Sequence, residues 1–394
     1  MRTERDHSGR GTPVGLRGTP VGLPRLSTGL TTPRENPDDV QEPDDVRKPA
    51  APTTLGVPHR EAPLRHRLAF PHALGTGIII QSEDPVREAI RSRLAGLIED
   101  FEATLSRFRE DSPVGAMARA THGGTFEFPE WSSPLFDLTD RFVDLGGGRI
   151  DPCVGEDLMR LGYGADLTFH MTADAPEHLG SLHGRPIWRR DVIRSGTTLR
   201  THAPVHLDFG LCGKGFLVDL IAMVLMDDDP ERGFLVNAGG DMRARVREPL
   251  SVGLEDPRDE ESGVGIARLS SGALCASSPS RRHWRASATL DAHHLINALD
   301  GMPVTDVAAT WTHVPAPNHV PDRTHVPDPT RAPDRDGDEP TTAYPTAKAD
   351  GLATALFLLP METLLPLLPF SCLTLSADLH ATVGGDFPGT VFTS

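Results

Sequence analysis

A mixed fold of helices and strands is predicted by three features of the chain. One is a long run of apolar residues at helical spacing between Val86 and Phe108. Another is the succession of glycine turn, apolar helix, short strand and second glycine turn between Leu207 and Asp241. The third is a pair of low-complexity tracts, which confine that fold to the rest of the 394 residues. A chain of this length holds two ordinary domains, or one large one with unstructured additions.

Taken in order, residues 1–66 are expected to be a disordered tail. Arg10-Gly11-Thr12-Pro13-Val14-Gly15-Leu16 recurs at once from Arg17 to Leu23, and Pro-Asp-Asp-Val occurs at 37–40 and 43–46. Such repeats bury too little apolar surface to offset chain entropy. The ordered part is expected at 67–394. Ala73 to Ile80 reads as a turn entering a strand. Asp84 and Pro85 suit the start of the long helix, which is expected to run through Arg109. A second helix is expected from Ser133 to Leu145, ended by Gly146. Three glycines then precede Arg149-Ile150-Asp151-Pro152. Pro186–Ile193 and Val205–Phe209 read as strands, and Met242–Val246 with Leu250–Leu254 as a hairpin. At 313–340 His-Val-Pro recurs among Asp, Arg and Pro, and a disordered insertion is expected there. A helix resumes over 347–357.

Composition excludes several classes. With 39 basic and 55 acidic residues the formal charge is −16, the wrong sign for a nonspecific nucleic-acid binder. It suits a protein that holds a divalent cation, and solubility alone would also explain it. None of the four cysteines forms a C-x-x-C pair, so they read as reduced core residues rather than zinc ligands. The N-terminus has no apolar signal core and no lipoprotein-type cysteine. The run 216–226 is too short to span a bilayer and contains Asp219. Leu352–Phe370 is broken by Pro360, Glu362, Pro366 and Pro369, and reads as two soluble core helices. No transmembrane segment and a cytoplasmic location are therefore expected.

The chemistry-bearing stretch is Asp208-Phe209-Gly210-Leu211-Cys212-Gly213-Lys214-Gly215. Lys214 falls at the expected start of a helix, the end that favours anions. Its glycines and those of Val236-Asn237-Ala238-Gly239-Gly240-Asp241 let a backbone approach a ligand closely. A phosphate-bearing ligand with a metal fits, and so do two ordinary turns. Asn237 and Asp241 read as turn-shaping residues. Asp350 and Thr354 stand one helical turn apart and share a face, a hard-cation pattern.

Set in order, these segments resemble the ApbE family of FAD:protein FMN transferases. The matching motifs are Leu74-Gly75-Thr76, Ser106-Arg107-Phe108 with Asp111-Ser112, Gly148 to Gly155, Leu161-Gly162-Tyr163-Gly164, Asp208 to Gly215, Val236 to Asp241, His293 to Ala298 and Ala349 to Ala355. The resemblance implies an α+β fold, with mixed β-sheets flanked by helices. It implies Mg2+ and FAD as substrate. FMN would pass to a Thr or Ser hydroxyl of an acceptor flavoprotein, or of a flavin-carrying domain of a redox system, and AMP would be released. Asp350 and Thr354 would bind Mg2+ through side chains, with Leu211 and Ala353 at positions of further ligands. Leu74, Phe108, Arg149, Ile150, Asp151, Asp208, Lys214 and Ile296 occupy FAD-contacting positions. His294 matches a histidine assigned to activity, and Lys214 can stabilise phosphate charge. Three segments depart from the family pattern: Asn297-Ala298 replace Asp-Pro, Ala276, Ser278 and Pro279 stand where Thr-Ser-Gly-Asp is usual, and Leu211 and Gly213 replace smaller or bulkier neighbours around Lys214. An FAD pyrophosphatase and a non-catalytic FAD-binding protein are the alternatives.

Overall fold

Why the chain bends back on itself many times is visible in its glycine turns and in the short spacing of its apolar runs. In this computed structural model the described residues are 64–316 and 343–392. Most of the expected tail and insertion lies outside them. Strands β1 (His66–Phe70) and β2 (Ile78–Ser82) precede helices α1 (Glu88–Leu105) and α2 (Pro113–Arg119). Next come β3 (Gly124–Glu127), α3 (Ser133–Gly146), α4 (Gly155–Arg160), α5 (Ala175–His178), α6 (Trp188–Asp191), β4 (Ile193–Ser195) and β5 (Thr198–Thr201). Helix α7 (Gly213–Asp228) leads into β6 (Phe234–Ala238), β7 (Asp241–Asp256), β8 (Asp259–Ser277), β9 (His283–Arg285), β10 (Asp291–His293) and β11 (Val307–Val314). The last elements are α8 (Pro345–Ala355), α9 (Met361–Leu364), β12 (Ser371–Ser376), β13 (Ala381–Gly384) and β14 (Gly389–Val391).

Nine strands form the main sheet in the order β1-β2-β6-β7-β8-β11-β12-β13, with β14 added on β8. The small sheets are β3-β5-β4 and β9-β10. The ladders among the described residues are antiparallel, and the helices pack on the sheet. This is the α+β architecture the sequence led us to expect.

Helix α7 lies against β6, β7, α1 and α8. Phe216, Leu217, Val218, Ile221 and Leu225 are fully buried, so the helix is apolar nearly all round, as a central helix must be. Each such side chain contributes roughly 1.5–3 kcal/mol of burial. Gly215 lets α7 meet α8 at backbone distance: a Cβ there would stand 2.4 Å from the Thr346 carbonyl oxygen and 2.8 Å from the Asp350 Cβ. All four cysteines are free and buried.

Several expectations are corrected. Helix α1 starts at Glu88, not at Asp84-Pro85, because Arg232 Nη1 donates to both of their carbonyls (3.1 and 3.4 Å) and holds that segment outside the helix. It ends at Leu105, where Ser106 turns extended, so Phe108 projects from a loop. Helix α3 takes Ser132, not Ser133, as its N-cap. Pro186–Ile193 holds the short α6 rather than a strand; Asp191 accepts from Ile187 N (2.7 Å) and Asp151 from Trp188 N (3.0 Å). Val205–Phe209 joins no ladder, since its backbone bonds go singly to loops and helix ends: Val205 N to the Met117 carbonyl and Asp208 N to the Pro152 carbonyl. Met242–Val246 and Leu250–Leu254 are two parts of the one strand β7, with a register shift between Arg245 and Leu250. Its hairpin partner is β8. Strand β11 runs through His313 to Val314, so those residues belong to the sheet and not to the insertion; likewise His66 opens β1 and is not part of the tail.

Candidate active site

A cavity of about 1410 Å3 opens between the main sheet, α1, α7 and the loops around Tyr163 and His294. That exceeds the ~300–1,000 Å3 of an ordinary small-molecule pocket. Leu74, Phe108, Arg149, Ile150, Asp151, Asp208, Leu211, Lys214, His294, Ile296 and Thr354 all line it. Asp350 and Ala353 stand behind the wall, both buried. The segments singled out by sequence therefore converge, although they come from both ends of the fold.

One wall is built on the loop after α1. Ser112 Oγ caps α2 by accepting from Gly115 N (2.9 Å) and donates to the Ser106 carbonyl (2.6 Å), which fixes the loop. Arg107 then points inward. Its Nε donates to Asp208 Oδ2 (2.6 Å) and its Nη1 to the Tyr163 carbonyl (2.7 Å). Its guanidinium lies 4.1 Å from the Phe108 ring centroid and 5.0 Å from that of Tyr163. Tyr163 stacks on Trp284, with Phe169 beside it. Burial works against the charge of Asp208, but Arg107 and the Gly210 N–H prevail and hold its carboxyl below the usual range. Leu74 adopts a left-handed backbone (φ 53°) and donates its N–H to Glu102 Oε1 (3.0 Å).

The opposite wall carries a charge cluster. Helix α7 begins at Gly213 and its third N–H, that of Gly215, donates to Asp350 Oδ2 at 2.9 Å. The anion at this helix end is thus a side chain of α8. Lys214 Nζ lies 3.1 Å from Asp350 Oδ1 and 2.8 Å from Asp241 Oδ2. Burial first, and then the neighbouring Asp241, push the Asp350 carboxyl up; Lys214 and the Gly215 N–H pull against them. Burial opposes the charge on Lys214, and the two carboxylates outweigh it and raise its pKa. Asp241 begins β7 directly after a two-residue turn in which Gly239 and Gly240 both have positive φ (64° and 108°), the geometry of a type I′ hairpin. Asn237 Oδ1 accepts from Gly240 N (3.0 Å) and does shape that turn. Asp241 does not: it faces Lys214.

His294 lines the cavity with a buried Nδ1 that has no hydrogen-bond partner. Burial, then Arg282 and Lys214, lower its pKa to about 3, so it is neutral near pH 7. Ile296 is buried and bridges Pro303. Asp151 spends its carboxylate on Cys153 N (2.8 Å) and Trp188 N, which shapes the turn carrying Arg149 and Ile150. The Ala353 carbonyl accepts from Thr310 Oγ1 (2.7 Å), and Thr354 Oγ1 lies 3.4 Å from Ser277 Oγ. Of the departures from the family pattern, Asn297 makes a local turn by accepting from Leu299 N (3.1 Å), outside the cavity lining. Among the described residues no three His, Cys, Asp or Glu side chains gather as a metal cluster. The oxygen donors at hand are Asp350, Asp241 and the Thr354 hydroxyl. Asp241 is buried with the Lys214 ammonium 2.8 Å away, and such a set of hard oxygens beside a displaceable cation fits a hard divalent cation.

Sequence reasoning missed Asp241 and the role of Arg107. Asp241 follows a Gly-Gly pair, and that context reads as a turn; the signal was that the turn's far end must start a strand beside α7. Arg107 stood inside a recognised motif with no partner visible in the sequence.

Fold and cavity together define an α+β protein with one large ligand chamber, walled by aromatic rings on one side and by a lysine–dicarboxylate cluster on the other. The family model for the ApbE family matches residues 74–319, well over half of the chain, and the chain belongs to that family. Solved structures agree in fold. An ApbE protein from Thermotoga maritima is 20% identical, with a TM-score of 0.64 over 81% of this chain and 96% of that one. The flavin transferase ApbE from Vibrio cholerae is 18% identical, with a TM-score of 0.61 over 82% and 97%. The flavinyl transferase ApbE from Pseudomonas stutzeri, in its apo form, is 18% identical, with a TM-score of 0.58 over 82% and 97%. No curated protein sequence matches the chain significantly. Among the described residues no helix is long and apolar enough to cross a membrane.

Proposed function

We infer that the protein transfers FMN from FAD to a Thr or Ser hydroxyl of an acceptor protein and releases AMP. The observation that carries this is that Lys214 and Thr354 line the same cavity as Arg107, Phe108 and Tyr163. A dinucleotide with a flat ring system and a pyrophosphate needs both walls. The acceptor hydroxyl attacks the FMN-side phosphorus, the bond to the bridging oxygen breaks, and AMP leaves. The hydroxyl proton goes to a base, for which the neutral His294 with its unpartnered Nδ1 is suited by position. At a pKa of about 3 it is a weak base, so orientation of the hydroxyl carries much of the work. Lys214 places positive charge against the phosphate oxygens. Asp350 and Thr354 would hold Mg2+, with backbone oxygens near Leu211 and Ala353 as further donors. When bound, Mg2+ supplies charge stabilisation to the phosphates and the leaving group.

The test is incubation of the purified protein with FAD, Mg2+ and a candidate acceptor domain. AMP release with an FMN-sized mass gain on the acceptor is the expected result. AMP without a mass gain would instead identify an FAD pyrophosphatase. Bound FAD without AMP would identify a binding protein.

A further inference from the structure

Lysine is scarce here: Lys48, Lys214 and Lys348 are the three among 39 basic residues. Several buried or half-buried carboxylates elsewhere meet arginine, as Asp208 meets Arg107, Asp157 meets Arg185 and Asp228 meets Arg232. At Asp241 and Asp350 the partner is Lys214. The difference has physical content. A guanidinium fork is held in place by several directed bonds, whereas an ammonium is a compact point charge on a flexible stem.

The two carboxylates are 1% exposed, while the Lys214 side chain is 25% exposed toward the cavity. The ammonium therefore has a way out and its partners do not. The Lys214 ammonium lies 2.8 Å from the buried Asp241 carboxylate, so loss of Lys214 would leave an uncompensated buried charge, a strongly unfavourable state. Lys214 leaves only when another positive charge arrives. Asp350 keeps its own anchor, Gly215 N, throughout.

We propose that Lys214 is the resident counter-ion of a cation site formed by Asp241 and Asp350. A divalent cation entering there displaces the ammonium, which swings into the cavity to meet the ligand's phosphates. Asp241 is thereby a member of the cation site, not a turn residue. The exchange moves charge without making or breaking a covalent bond, and no proton is transferred. It rests on the reading that Asp350 and Thr354 hold a divalent cation, and couples that cation to the position of Lys214.

Mn2+ alone is the probe, titrated by electron paramagnetic resonance against the full chain without flavin. Lys214→Met removes the competitor, so Mn2+ should bind about tenfold more tightly; Asp241→Asn removes a carboxylate, so binding should weaken about tenfold, each a modest electrostatic change. Mn2+ bound with equal affinity by wild type and both variants overturns the exchange while leaving the cation reading intact. No Mn2+ binding by any of the three overturns both. A second measurement needs no variant. Acetylation of Lys214 in the wild-type chain, followed by mass spectrometry with Lys48 and Lys348 as internal references, should speed up several-fold when Mn2+ is added. An unchanged rate overturns the proposal.

Discussion

Two buried ion pairs in this molecule use similar chemistry to opposite ends. Arg185 and Asp157 are both fully buried and lie 2.7 Å apart. Arg185 also donates to the Pro186 and Ala298 carbonyls (2.7 and 2.8 Å), and Asp157 accepts from Gly180 N (2.9 Å). That pair ties α4 to the loops around Gly180 and Ala298, and neither residue lines the candidate-site cavity. The Lys214–Asp241–Asp350 cluster is the reverse. Its cation borders the cavity, with the Lys214 side chain 25% exposed against 0% for Arg185. A buried charge surrounded by backbone partners is structural; one whose cation borders a cavity is available for chemistry.

The comparison breaks if the two sites respond alike. The largest expected effect is at the structural pair. Arg185→Met should destabilise the fold by about 3–5 kcal/mol, since it strands Asp157. Thermal unfolding measures this, and flavin affinity of the still-folded fraction should be near wild type. Asp350→Ala should lower Mg2+-dependent AMP release by at least about a hundredfold, comparable to loss of one stabilising group in a preorganised site. Steady-state kinetics checks it, and unchanged turnover would remove Asp350 from the cation site. A smaller effect separates the walls by pH. The His294 pKa is lowered from 6.5 to about 3 on folding, so the unfolded chain binds its proton more tightly. The stability this gives is present above about pH 6.5 and is lost as pH falls toward 3. His294→Gln should therefore flatten the loss of stability between pH 7 and 4 by up to about one proton in slope, read from denaturant midpoints across that range. Least of all, deleting residues 1–59 should leave AMP release unchanged, because no residue assigned to the site lies there.

Much of the fold was legible because its signals are local. The period of Val86 to Leu105 and the apolar run of α7 require only neighbouring residues to be read. The failures came where partners are distant. Val205–Phe209 has strand composition, but its bonds go to Met117 and Pro152, and sequence shows neither. The hairpin expected within 242–254 mistook the break between Arg245 and Leu250 for a turn. In the site, the residues of linear motifs converge on one cavity. The function of Asp241 could not be read the same way, because its meaning depends on Lys214 from another element and on Asp350, 136 residues beyond Lys214.

One feature of α8 bears on how the chain tolerates its low-complexity stretch. That stretch enters between β11 and α8, immediately ahead of the helix that carries Asp350 and Thr354. Asp219 of α7 grips the first turn of α8, accepting from Thr346 N, Thr346 Oγ1 and Ala347 N at 2.9, 2.6 and 2.9 Å. It acts as a mooring. These bonds fix the start of the helix that carries Asp350 and Thr354.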